Sequence, residues 1–300
     1  MSEYNGKIID CHVHIFEPFG VKQVIELEQD YDGFCLLSLE AMKSGQNDLC
    51  FGVSQKTGCT VFASLNHNSK NFVEQAEAAL KRGAKGFKMI EGKPSVYKDL
   101  GLDSLASEPF MRFYEFLEEK NVPLLLHAGD PPEFWNAPPD WAKEAGWDYN
   151  GEGFPSLEKI QAEVYEILKA FPDLKIILAH FFFIADNIEA AMRLLDEYPC
   201  AMYDICPGTE MYAHFSKEPE EWRKFFIKYK DRILFGTDNC ETETQEESFD
   251  KIEIKKLIHN FLQEKGEFKV WNSMSVTGID LPQSVLEKIY YENFKRIINT

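Results

Sequence analysis

The sequence predicts a (β/α)8 barrel, an α/β fold in a single domain. Eight short apolar runs alternate with longer amphipathic stretches over nearly the whole chain, and reactive side chains fall at the ends of those runs. No glycine-rich phosphate loop follows any run, which removes the usual signature of the doubly wound sheet, the runner-up arrangement. A chain of 300 residues suits one large barrel or two small domains, and no Pro/Ser linker or charge block divides it. One domain over residues 1–300 is therefore expected.

In order, residues 8–15 form the first apolar run, and 20–29 follow as a weak helix. Residues 33–39 and 60–66 read as the second and third strands. A helix over 71–82 carries Phe72, Val73, Ala76, Ala79 and Leu80 at helical spacing, with Gly83 placed to stop it. Residues 86–90 are the fourth strand. Residues 108–120 form an amphipathic helix with Phe110, Phe113 and Leu117 on its apolar face, and Asn121-Val122-Pro123 leads into the fifth strand, 124–127. After a helix over 157–170, Phe171-Pro172-Asp173 turns the chain into the sixth strand, 174–180. Helix 187–198, strand 201–206, helix 218–230 and strand 232–238 complete the eight, and helices over 248–266 and 283–299 close the chain.

With 44% hydrophobic and 14% aromatic residues, the chain can bury a substantial core. Its net charge of −18 opposes encounters with nucleic acid and anionic membranes, though a small anionic substrate responds to the local field instead. The seven cysteines are odd in number and show no Cys-X-X-Cys spacing; several lie in apolar runs as small buried hydrophobes, as expected in a reducing cytosol. Residues 1–6 show no basic segment followed by an apolar one, and no apolar run approaches a membrane span. The expectation is a cytoplasmic protein, forming a homodimer, with a small-molecule substrate and neither nucleic acid nor membrane as partner.

The first run carries a His-X-His pair. Side chains alternate along a strand, so His12 and His14 share one side while Cys11, Val13 and Ile15 take the other. Two imidazoles on a rigid apolar strand make half of a metal site; the bland alternative is a pair of hydrogen-bonded core histidines. Chemistry in such a barrel sits at the C-terminal ends of the strands. There the sequence places His12 and His14 on strand one, Lys88 on four, His127 on five, His180 on six, Asp204 late in seven and Asp238 at the end of eight. Singly, Lys88 could be a rim lysine, Asp238 a helix N-cap and His180 a core histidine. Together they are hard to explain without a metal. His67 and His214 fall in loops beyond strands three and seven, within reach of the mouth, and His259 in a closing helix reads as structural or solvated.

Four segments, Ile9-Asp10-Cys11-His12-Val13-His14, Leu124 to Gly129, Phe171 to His180 and Ile233 to Asp238, resemble the amidohydrolase superfamily. They are most similar to its amidohydrolase-related ("amidohydrolase 2") branch of metal-dependent barrel hydrolases and decarboxylases, and Ile289 to Ile297 resembles that branch's closing helix. The resemblance implies that His12, His14, His127 and Asp238 hold one divalent ion, Zn²⁺ by preference, with His180 beside it as a catalytic group. It also implies a choice for Lys88: a carboxylated lysine bridging a second metal shared by His127 and His180, or a charged pocket group with one metal, the arrangement favoured here. Phe181-Phe182-Phe183 depart from the small residues usual after the strand-six histidine.

The implied reaction is hydrolysis of an amide, ester or lactone by a metal-activated water, with Asp238 moving the proton and His180 polarising the carbonyl. The alternative is non-oxidative decarboxylation of a small aromatic acid; a non-catalytic metal- or ligand-binding barrel is a third reading. Decarboxylase substrates with several carboxylates favour an arginine clamp, and all six arginines fall in helices or ahead of a strand. Residues 128–155 make a long loop rich in Trp135, Trp141, Trp147, Tyr149 and Phe154, which reads equally as a lid over a ring-bearing substrate or as a self-packed excursion. Lys88, Asp130, Trp135 and Asp204 are the expected substrate-binding residues.

Overall fold

The computed structural model describes residues 4–271 and 274–299. Eight parallel strands run in chain order around one barrel: β1 (Ile9–Val13), β2 (Gly33–Leu37), β3 (Thr60–Ala63), β4 (Gly86–Gly92), β5 (Leu124–Ala128), β6 (Ile176–Leu178), β7 (Ala201–Asp204) and β8 (Ile233–Leu234). Each pairs with the next. Backbone bonds close the ring between β8 and β1: Cys11 N–H donates to Phe235 O at 3.0 Å and Asp238 N–H to His12 O at 2.9 Å. The Asp10 carboxylate reinforces that seam by accepting the backbone N–H groups of His12 and Thr237 at 2.9 and 3.1 Å.

Inside the barrel, Ile9, Cys11, Cys35, Leu37, Phe62, Leu125, Ile177, Met202 and Leu234 fill the lower lumen, plugged from below by Phe294 and Ile297 of the closing helix. The opposite strand faces, with Val13, Leu36, Met89, Leu126, Leu178 and Tyr203, pack under the helices. Strict alternation along β1 does not hold. The pairing with β2 shifts by one residue between Asp10 and Val13, so Cys11 joins Ile9 in the lumen while Val13 and Ile15 face the helices. Such a bulge re-aims side chains next to a site, and here His12 and His14 emerge at the upper, C-terminal end.

Several segments differ from the sequence expectation. A helix at Gln46–Thr57 joins β2 to β3; its apolar periodicity is weak, and left-handed Gly45 and Gly58 define its ends. The helix expected over 248–266 is Gln245–Gln263, after which β9 (Lys265–Val270) and β10 (Met274–Ile279) form an antiparallel hairpin absent from the reading. Strands six and eight are shorter than expected, because the backbone turns away before His180 and Asp238. Among the described residues, no helix is long and apolar enough to cross a membrane.

His259 is structural, as expected. It is held between the Tyr31 and Tyr290 hydroxyls at 3.0 and 2.8 Å, and burial, then Lys255, depresses it from 6.5 to about 4. The unfolded chain thus takes up this proton near pH 6.5, whereas the folded chain resists it down to about 4. The stabilisation is present above pH 6.5 and is lost as the pH falls through that window, amounting to about 3 kcal/mol. Urea unfolding of the wild type and His259→Gln at pH 7 and pH 4 should show the wild type losing more stability, by up to about that amount.

Candidate metal centre

At the upper end of the barrel, four imidazoles line up with neighbouring ring centroids 5.1 Å apart (His14–His12), 5.3 Å (His12–His180) and 4.8 Å (His180–His127). What each presents inward is set by what its other nitrogen does. His12 Nδ1–H donates to Asp204 Oδ2 at 2.8 Å, and His14 Nδ1–H to the Leu37 carbonyl at 2.9 Å, so both turn a bare Nε2 toward Asp238. Asp238 Oδ1 lies 3.5 Å from His12 Nε2 and 3.2 Å from His14 Nε2. Its side chain is 38% exposed, the water-accessible member of the trio.

His127 Nε2–H donates to the Gly129 carbonyl at 2.9 Å, with Asp130 Oδ1 at 3.3 Å, leaving Nδ1 as its lone-pair side. His180 Nδ1 faces the Cys206 carbonyl at 3.3 Å, leaving Nε2. These two nitrogens face each other 3.1 Å apart, the distance of a single N–H···N bond and close enough to share one cation. Burial disfavours the charged form of three of the four imidazoles: His12 sits well below its ordinary value through burial and then Lys88, His127 is lowered by burial, and His180 falls to about 3 through burial and then His127. Unprotonated nitrogens converging with a carboxylate are a donor set that suits a divalent cation.

His12, His14 and Asp238 therefore come together as the sequence predicts, their ligand atoms within 4.8 Å of one another. His127 stands apart from that trio and pairs with His180. Lys88 lies within β4 rather than at its end; its ammonium is buried, 3.4 Å from His12 Nε2, and burial lowers its pKa. Gly236 makes room for this packing, since a Cβ there would come 2.8 Å from that of His12.

Asp204 does not line the mouth. It is fully buried beneath the histidines, and besides His12 it accepts the His180 backbone N–H at 2.8 Å and the Cys206 thiol at 3.1 Å. A substrate cannot reach it. His180 itself opens a left-handed turn: His180, Phe181, Phe182 and Phe183 have φ between 53° and 57°. Non-glycine residues in that conformation cost about 1–2 kcal/mol each. The Asp204 bond offsets part of this, as does burial of Phe181, which stacks on Tyr203 at 4.4 Å and packs against Phe215, Trp222 and Phe225. The turn sends Phe181 outward and lays the Phe183 ring 5.5 Å from His127 and 5.3 Å from His180. Asp238, at φ 57°, is a second strained residue of the centre.

The long segment after β5 packs largely on itself: Phe134, Ala142 and Tyr149 are buried against Trp135, Trp147 and Phe154. Trp135 is spent there, its ring 5.0 Å from that of Tyr149 and its Nε1–H on the Pro155 carbonyl. Asp130 is buried at the mouth and paired with Lys93 Nζ at 3.0 and 2.8 Å. Burial alone would raise it, but the Lys93 ammonium and the His127 N–H outweigh that and hold it at about 2.

Sequence reasoning missed Glu210. With Glu133, Asp186, Met211 and His214 it lines a cavity of about 160 Å³ that shares the Phe183 ring with the centre. Burial, with Glu133 and Asp130 nearby, pushes Glu210 up to about 7. A glutamate in a connecting segment carries no periodicity to mark it. His67, by contrast, bonds Glu91 at 2.8 Å and packs on Phe72 and Phe110 in the outer layer.

A family model described as Amidohydrolase matches residues 57–298. Among solved structures, the chain is similar to an uncharacterised TIM-barrel protein from Bordetella bronchiseptica, at 14% identity, 98% coverage of each chain and a TM-score of 0.64. It is also similar to a probable 2-pyrone-4,6-dicarboxylic acid hydrolase from Acinetobacter baumannii, solved with citric acid (13% identity, covering 98% of this chain and 100% of that one, TM-score 0.61). A third is 5-carboxyvanillate decarboxylase from Novosphingobium aromaticivorans, solved with manganese and 4-hydroxy-3-methoxy-5-nitrobenzoic acid (12% identity, 99% and 97% coverage, TM-score 0.55). These likenesses concern the fold. No curated protein matches the sequence.

Replacing Asp204 by Asn leaves its size but removes the charge that orients His12. Metal affinity measured by chelator competition should weaken about 10–100-fold, with the circular dichroism spectrum unchanged.

Proposed function

The chain belongs to the amidohydrolase family, and on that premise we propose that it is a metal-dependent hydrolase of a small molecule, cleaving an amide, ester or lactone bond. Within the family, the observation that favours hydrolysis over decarboxylation is the charge at the mouth. Glu133, Asp186 and Glu210 line the cavity beside Phe183, and among the described residues no ion pair neutralises any of them. Lys93 is committed to Asp130, and no arginine lines the cavity. A substrate bearing carboxylates would meet repulsion there from Glu133 and Asp186, and from Glu210 as it ionises near pH 7, whereas a neutral or amine-bearing one would not.

His12, His14 and Asp238 would hold the ion, with His127 completing the set; three imidazoles and a carboxylate suit Zn²⁺. When bound, a divalent ion lowers the pKa of a coordinated water to about 7 and polarises a carbonyl. Asp238, the water-accessible carboxylate, takes the proton of the attacking water and returns it to the leaving group. His180, neutral and fixed by Cys206, orients the substrate carbonyl, and Phe183 excludes water from that side. One ion per chain is proposed, with Lys88 as a buried charge beside His12.

Decarboxylation of a small aromatic acid remains the second reading, because Lys88 places a buried ammonium 3.4 Å from His12 Nε2, where its field reaches a carboxylate bound above the histidines although the side chain itself is out of contact. Two measurements separate the proposals. Elemental analysis of protein purified without chelator should find about one ion per chain; two ions together with a carboxylated Lys88 would overturn the one-metal form. A panel of amides, esters and lactones, run beside aromatic acids scored for CO₂ release, should show turnover in the first group only. His14→Ala should then cut kcat/KM more than about 100-fold, beyond what changes behind the ligands cost. Metal-free protein, with activity untouched by His127→Ala, would sink the metal-dependent reading.

A further inference from the structure

The segment between β5 and the helix Leu157–Ala170 has aromatic rings that are mostly consumed by packing on one another. Its route to the metal centre is a chain of polar contacts. His127 turns its Nδ1 to the centre because Nε2–H is held by the Gly129 carbonyl and by Asp130 Oδ1. Asp130 is held in turn by the Lys93 ammonium and the Tyr149 hydroxyl.

Both of those groups depend on the excursion. Tyr149 is buried, its backbone N–H bonds Phe134 O at 2.9 Å, and Trp135 and Phe154 lie against its ring at 5.0 Å each. The Lys93 ammonium sits 4.1 Å from the Trp147 ring centroid, a cation–π contact with the same segment. Lys93 arrives there because Gly92 lets β4 press on β5; a Cβ at Gly92 would fall 2.2 Å from the His127 carbonyl oxygen.

We propose that Tyr149 and Lys93 are positioning residues that act through Asp130 on His127, so that the folded excursion sets how tightly the centre holds its metal. The excursion then works behind the ligands rather than as an aromatic platform for substrate. A carboxylate that fixes the far nitrogen of a ligating histidine raises its basicity and locks its tautomer, and loss of such support costs about 10–100-fold in metal affinity. Tyr149→Phe removes one of the two anchors of Asp130 and keeps the ring packing, so its effect falls at the low end. Lys93→Met removes the countercharge and falls at the high end.

The inference rests on the metal-dependent reading above, and the test separates the two. Apparent Kd values for Zn²⁺ and Mn²⁺ are measured by chelator competition on the full chain, and ¹⁵N NMR reports the histidine tautomers of the metal-free protein. The expected result is a weakening of about tenfold in Tyr149→Phe and up to about 100-fold in Lys93→Met, recovery in Lys93→Arg, and loss of the pure Nε2–H form of His127 in the first two variants. Unchanged Kd values in Tyr149→Phe and Lys93→Met, with wild-type metal binding intact, would overturn it. If Lys93→Met does not fold, Tyr149→Phe alone decides. If the wild type binds no metal, the metal reading fails, and the His127 tautomer in Tyr149→Phe decides the positioning role: unchanged, it too is overturned.

Discussion

The Asp204 carboxylate, buried at the end of β7, joins three parts of the barrel at once. One oxygen takes the Nδ1–H of His12 on β1, and the other takes the backbone N–H of His180 and the thiol of Cys206. A buried carboxylate without such partners would be costly, and desolvation does raise its pKa. With them it becomes the point from which the centre is oriented. His12 must present Nε2, and His180 must begin its turn where it does.

The remaining geometry follows from how the barrel accommodates that point. The extra residue in β1 puts Cys11 and His12 both toward the lumen, and Gly236, just beyond β8, leaves the space they need. Backbone strain at the centre falls where its side chains leave the strands, at His180 to Phe183 and at Asp238. Strain of that kind persists only where surroundings over-determine it. Here the surroundings are the nest around Phe181 on one side and the β1–β8 seam on the other.

Charge is arranged in depth. Lys88 lies beneath the histidines, Lys93 and Asp130 neutralise each other beside His127, and Glu133, Asp186 and Glu210, without an ion pair among the described residues, line the outer cavity. The local field at the mouth thus has the same sign as the whole chain, whose net charge is −18. The residues of the outer cavity and those that support the centre are different, so either group can be changed while the other is kept.

The architecture was legible from periodicity, because parallel strands buried on both faces read as continuous apolar runs separated by amphipathic helices. The His-X-His pair and the strand-end positions of His127, His180 and Asp238 were legible for the same reason: residue type plus place on a strand suffices to bring them to one end. The helix at Gln46–Thr57 and the hairpin of β9 and β10 were not, since one has little apolar periodicity and the other lies outside the repeating pattern. Nor was the direction of any imidazole. Asp204 as a buried anchor, the pairing of His127 with His180, the bulge in β1, the left-handed path through three phenylalanines and the place of Glu210 all depend on contacts between residues far apart in the chain. Local sequence determined which side chains reach the mouth of the barrel. Only the tertiary structure decided which nitrogen each histidine turns inward, because that is set by whatever partner waits on its other side.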